Sequence, residues 1–203
     1  MLKISKKNLL AEITNEAAKD ASLALLKLCG EKITVEFVDV EVEKIQKAFS
    51  GIDLESIVAG VYLPITGDIK GASILIFPEK IAYTLCDVLV RRKPGTTRKL
   101  TELDKSALKE VGNIICGSLL TVFSNHLKVK IIENLPELSF DMFGAVVDQI
   151  IIQFVQKAEE VLIIELRFGF EHIMIKGHII LIFGHKEIKA IIDGLFKENE
   201  IRG

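Results

Sequence analysis

Two copies of one polar signature, Glu-x-x-Asn, interrupt otherwise apolar helical sequence at Glu12/Asn15 and at Glu110/Asn113. Three residues along an α-helix bring both side chains to one face. Each pair sets a carboxylate, able to pair with a cation or exchange a proton, beside an amide whose donor and acceptor both stay neutral at pH 7. These are the candidate catalytic groups, and they occur twice.

The second copy continues its face in both directions. At about 100° per residue, Ser106, Glu110, Asn113 and Gly117 fall within roughly 40° of one another, while Leu108, Val111, Ile115, Leu119 and Val122 gather on the opposite side. The polar stripe is therefore expected to face outward. Gly117, one turn beyond the amide, is expected to remove bulk and let a macromolecule approach, at a cost of about 1 kcal/mol for glycine inside a helix.

A long amphipathic helix over about Lys6 to Leu28 carries the first signature, with Asn8 as its cap or a member of its stripe. The helix with the second begins near Thr101, where Thr-x-x-Asp reads as a capping box. KITVEFVDVEV alternates as a strand, and Val58–Leu63 with Ile69–Phe77 reads as a hairpin around ITGDIKG, followed by a helix through Leu89. Further strands are expected near Val129–Ile132, Ile150–Val155, Val161–Phe168 and His172–Phe183. The segments GASILIFPEKIAYTLCDVL and GHIILIFGHKEIKAIIDGL match in apolar pattern, each a buried strand leading into a helix. The copies are offset by 98 residues at the signatures and by 106 at these strands, so 8 extra residues fall after Asn134, in or near FDMFGAVVDQIIIQFVQKAEE. The expected fold is α/β (α+β): a pseudo-two-fold repeat with a mixed or antiparallel sheet flanked by two long signature-bearing helices. One domain over residues 1–203 is expected, with halves 1–90 and 100–203 joined by the basic linker RRKPGTTRK at 91–99.

Composition narrows the chemistry. With 203 residues, 49% of them apolar, the chain can bury a substantial core, and a net charge of −2 requires neither nucleic acid nor a membrane as partner. Apolar runs such as IILIF fall far short of the ~18 residues of a membrane span, and the charged start MLKISKK is not followed by an apolar leader core. The expected location is the cytoplasm. Cys29, Cys86 and Cys116 are odd in number and lack CxxC spacing, so they read as reduced thiols packed on helices. His172 and His178 would lie about 20 Å apart along a strand, and His126 and His185 sit at helix ends, so no metal-ligand set is expected.

The full spacing is Ser106, three residues, Glu110, two residues, Asn113, twenty-two residues, Pro136. This resembles the signature of the CheC, CheX and FliY phosphatases of bacterial and archaeal chemotaxis. VGNIICGSL in the second helix and LPITGDIKGASILIF in the first half extend the resemblance over nearly the whole chain. CheC is the closer likeness, because CheX carries one signature in a shorter chain that pairs as a dimer and FliY adds a flagellar domain.

The resemblance implies hydrolysis of the aspartyl phosphate of the response regulator CheY. Asn113 is then expected to orient the attacking water and Glu110 to engage the regulator's active-site lysine, with Ser106, Gly117 and Pro136 in support. Mg²⁺ is expected on the CheY substrate, and the chain is expected to hold no cofactor of its own. Glu12 and Asn15 form the second candidate site, which departs from the pattern at Asn8, Lys19 and Val38, where the other copy has Ser106, Gly117 and Pro136. Lys19 places bulk and positive charge where a partner lysine is expected. Phe140, Asp141, Met142 and Phe143 open FDMFGAVV, which resembles the short helix by which CheC contacts the deamidase CheD; a plain core helix is the alternative. RRKPGTTRK reads as a solvated loop more readily than as a nucleic-acid contact, and TGDIKG as a hairpin turn, because no helix follows it directly. The alternative function is a non-catalytic scaffold, like the middle domain of FliM, or mainly a regulator of CheD.

Overall fold

Helix α1 (Ile4–Cys29) forms because Leu10, Ile13, Ala17, Ala21 and Leu25 recur every three or four residues, and all five are buried. The same spacing recurs in α4 (Glu102–Leu127), which buries Leu108, Val111, Ile115, Leu119 and Val122 on one face. The computed structural model describes residues 4–30, 32–48, 53–154, 160–170, 173–184, 186–191 and 193.

Between and after the long helices run β1 (Ile33–Lys44), the single turn α2 (Ile45–Ala48), β2 (Ile57–Gly67), β3 (Gly71–Pro78) and α3 (Glu79–Leu89). The second half follows α4 with β4 (Ile131–Glu133), β5 (Glu137–Met142), α5 (Phe143–Phe154), β6 (Glu160–Phe170) and β7 (Ile173–Phe183). All seven strands form one sheet in the order β1-β6-β7-β3-β2-β4, with β5 also on β2, and every described pairing is antiparallel. The order reads alike from either edge. At its centre Ile74 faces Ile180, two residues that are also equivalent in the repeated sequence, so a pseudo-two-fold axis passes between them.

One face of the sheet carries Val35, Phe37, Val61, Leu63, Leu75, Phe77, Leu166, Phe168 and Leu181 against α1, α3 and α4. The opposite face carries Val58, Ile74, Ile76, Ile180 and Ile182 against α2 and α5. The α4 helix is long and apolar enough by composition to cross a membrane, but half of its most apolar stretch is buried within the protein.

The strand expected at Ile150–Val155 is instead the end of α5, with Val155 outside the described residues. An apolar run without alternation fits a buried helix as well as a buried strand. Phe143, Val146 and Val147 decide it, because their i, i+3, i+4 spacing docks them together on the sheet. The extra length of the second half includes the longer helix α5, which has 12 residues against 4 in α2 and lies in the FDMFGAVVDQIIIQFVQKAEE segment.

The basic linker is also not a loose loop. Arg91 donates to the Cys29 carbonyl at 2.9 and 3.1 Å, at the end of α1. Arg92 pairs with Asp104 at 2.8 Å and donates to Thr97 Oγ1 at 2.8 Å. Asp87 accepts from Thr96 N–H and from the Thr97 hydroxyl. The linker thus ties α1, α3 and α4 together.

Candidate functional site

The start of α4 is held before its functional residues begin. Thr101 Oγ1 accepts from Asp104 N–H, and Asp104 Oδ2 accepts from Thr101 N–H at 2.8 Å, which closes the capping box. Two turns on, Gly112 brings the helix down onto β2. A Cβ there would lie 2.5 Å from Val61 Cγ1, closer than side-chain packing permits. Asn113 is set by that contact.

The facing wall comes from the break between β4 and β5. Both strands pair with β2, but the ladder is interrupted opposite Pro64, and Pro136 in the connection likewise has no N–H to give. Asn134 anchors the connection by donating its N–H to the Pro64 carbonyl at 2.9 Å. In the first half the equivalent of Pro136 is Val38, where β1 takes up a bulge and continues along β6 without leaving the sheet.

Helix and connection enclose an open cavity of about 660 Å³ lined by Ser106, Lys109, Glu110, Asn113, Glu133, Asn134, Leu135 and Pro136. Four of these are the residues singled out by spacing. Ser106 and Glu110 are exposed and Asn113 is half-buried. Among the described residues neither the Glu110 carboxylate nor the Asn113 amide has a hydrogen-bond or ion-pair partner, so both are free to engage a ligand.

The expectation for Gly117 is corrected. This residue is buried, and the space left by its missing side chain is taken by the Glu133 carboxylate, whose oxygens lie 2.5 and 3.0 Å from where a Cβ would stand. The glycine admits Glu133, not a partner. Burial pushes the Glu133 carboxyl above its ordinary pKa. Burial also pushes the neighbouring Cys116 thiol up to about 12, so it is protonated at neutral pH and supplies no nucleophile. Among the described residues no group of three His, Cys, Asp or Glu side chains is arranged to hold a metal ion.

Glu12, Asn15 and Lys19 lie exposed along α1, away from this cavity. Val35 occupies the sequence position equivalent to Glu133 and is buried in the core. The side chain of Asn8 lies outside the described residues. The His126 imidazole near the end of α4 meets Glu16 of α1 at 3.2 Å, and His172 and His185 are outside the described residues.

The short helix expected to open at Phe140 is a strand–helix corner instead. Phe140 lies in β5, half-buried with its ring centroid 5.7 Å from that of Tyr83, and Phe143, the first residue of α5, is fully buried. Apolar burial on the sheet outcompetes exposure for both rings, which leaves Asp141 and Met142 at the surface.

Four cavity residues were not singled out by the sequence: Lys109, Glu133, Asn134 and Leu135. Leu135 is 86% exposed, an apolar side chain held in solvent between Asn134 and Pro136. Its place in a polar connection was the available signal. Glu133 likewise interrupts an apolar stretch, VKIIENL.

Residues 103–133, which span the signature helix and β4, match the model of the CheC-like family. The chain is 28% identical over 169 residues to the CheY-P phosphatase CheC of Bacillus subtilis, covering 81% of this chain and 80% of that one. Its fold is that of Thermotoga maritima FliY, with a TM-score of 0.77 at 22% identity over 98% of this chain and 99% of that one. The FliM middle domain from Helicobacter pylori is similar too, with a TM-score of 0.66 at 14% identity over 95% of this chain and 99% of the other. The chain is thus similar to the CheC-like family in sequence over its signature helix and β4, to CheC over most of its length, and to FliY in fold.

Proposed function

We propose that this protein hydrolyses the aspartyl phosphate of a CheY-type response regulator at the cavity between α4 and the β4–β5 connection. The observation that carries this reading is that the cavity gathers Ser106, Glu110, Asn113 and Pro136 with the Glu110 and Asn113 side chains uncommitted. A water oxygen attacks phosphorus in line with the bond to the aspartyl oxygen. That bond breaks, its electron pair returns to the aspartate carboxylate, and the water proton passes to phosphate or solvent. Phosphoryl transfer of this kind asks little covalent work of the enzyme, so an amide that holds water in line supplies most of what is needed. Asn113 takes that role. Glu110 pairs with the regulator's active-site lysine, and Mg²⁺ belongs to the substrate. A negative group in place of Asn113 would repel the phosphoryl oxygens.

Glu12 and Asn15 form a lesser site, because among the described residues β1 runs on along β6 and forms no connection like Asn134–Pro136. Asn15→Ala should lower turnover by less than about twofold, far less than Asn113→Ala. Equal losses in steady-state rates would make the two sites equivalent.

A protein substrate also has to be held around the cavity, and Leu135 is placed to do this. Leu135→Asp should raise the half-saturating regulator concentration by about fivefold or more, with turnover at saturation within about twofold. Initial rates against regulator concentration measure this. Lost turnover at unchanged half-saturation would remove Leu135 from docking, and the same split tests Glu110→Ala.

The second reading, a FliM-like module without catalysis, is favoured only by the likeness of fold. A CheD-like partner at the β5–α5 corner would meet Asp141 and Met142 and not the two phenylalanines.

A further inference from the structure

Glu133 has no part in the roles given above, yet its carboxylate lies between the cavity and the core. It borders the same cavity as Asn113, and its Oε2 is buried without a hydrogen-bond partner. Half-burying a carboxylate with no ion pair among the described residues is unfavourable. The same position in the other half of the molecule is Val35, a core residue. The corresponding helix positions differ in step. Gly117 stands over Glu133, whereas the residue equivalent to Gly117 in the other half is Lys19, which carries a Cβ.

The distances set what the carboxylate can reach. Asn113 and Gly117 are four residues apart on one helical face, which puts their Cβ positions about 5–6 Å apart. The Glu133 oxygens lie 2.5 and 3.0 Å from the Gly117 Cβ position. A carboxylate that close to the Gly117 position is one helical turn from Asn113, whose amide lines the same cavity and has no hydrogen-bond partner among the described residues. An amide has two ends of similar shape and opposite polarity, and only a fixed neighbour tells them apart.

On the phosphatase reading of this site, we propose that Glu133 is a positioning residue for Asn113. Its carboxylate accepts the Asn113 Nδ2–H when the phosphorylated regulator fills the cavity, which leaves the amide oxygen facing the attacking water. Glu133 does not touch the phosphoryl group and takes no proton from water.

Three variants test this by steady-state hydrolysis of a phosphorylated CheY-type receiver domain. Glu133→Ala should lower turnover by about tenfold while half-saturation changes by less than about twofold, as expected when a positioned group loses its support. Glu133→Gln keeps an acceptor oxygen and should retain turnover within about threefold of wild type. Gly117→Ala should lose turnover as Glu133→Ala does, because the new Cβ displaces the carboxylate; alanine favours the helix, and a thermal melt checks that the variant is folded. Full turnover in Glu133→Ala or Gly117→Ala, with active wild type, overturns the role of Glu133 and leaves the phosphatase reading intact. So does Glu133→Gln as inactive as Glu133→Ala, since that pattern belongs to a general base. Wild-type protein that hydrolyses nothing overturns the phosphatase reading itself, and the inference with it.

Discussion

Asn113→Ala should lower turnover of phosphorylated regulator by about tenfold or more, with the half-saturating concentration and the melting temperature nearly unchanged. The side chain is half-buried on the cavity wall and makes no hydrogen bond among the described residues, so the fold loses little when it goes. What is lost is a group that acts only when water and phosphorus are in line, which lowers the rate and not the docking. Steady-state rates at saturating regulator, together with a thermal melt, check this. Unchanged turnover in a folded variant removes Asn113 from the chemistry.

Arg92→Ala should be the most destabilising single change around the site. Its guanidinium pairs with Asp104 at 2.8 Å and lies 4.0 Å from Asp87, and both carboxylate side chains are fully buried. Removing one partner of a buried pair leaves uncompensated charge and costs about 3–5 kcal/mol, a large part of a total stability of roughly 5–15 kcal/mol. Burial alone would raise the pKa of Asp104, but hydrogen bonds from Thr101 and the Arg92 guanidinium outweigh it and hold the carboxyl below its ordinary value. Asp87 is held low in the same sense, against its burial, by Thr97 and Thr96. A carboxyl depressed in the folded state contributes stability above its unfolded pKa of about 3.9 and loses it as pH falls through the lower folded value. Urea unfolding should therefore show wild type losing stability below about pH 4 and Arg92→Ala losing less over the same interval. Equal pH dependence in the two proteins would show that Arg92 does not hold Asp104 down.

The four-residue spacing in the sequence was enough to assemble one wall of the cavity and Pro136 of the other. The opposite face of α4 is buried as its periodicity required, and the capping box at Thr101 formed as read. Gly117 was misjudged because helical angles say which residues share a face and not what covers it. The β4–β5 connection folds back over the far end of that stripe, and only tertiary structure shows the Glu133 carboxylate in the glycine's place. Arg91 and Arg92 looked solvated for a related reason. Their partners are the Cys29 carbonyl, Asp87 and Asp104, on three helices that the chain brings together only when folded. The run after Phe143 carried no alternation, so strand and helix were equally compatible until Phe143, Val146 and Val147 were seen to share one docking face. Leu135 and Glu133 sit in the two-element break at Pro136, where neither a period of two nor one of 3.6 applies.

The central claim is that the cavity built on Glu110 and Asn113 turns over an aspartyl phosphate. Release of inorganic phosphate from a phosphorylated CheY-type receiver domain, with Mg²⁺ and a substoichiometric amount of this protein, tests it most directly. The expected result is phosphate released well above the receiver's own rate and in excess of the protein present, with the excess abolished in the Glu110→Ala/Asn113→Ala double variant. Phosphate released at the receiver's own rate, or an acceleration that survives in the double variant, would contradict it.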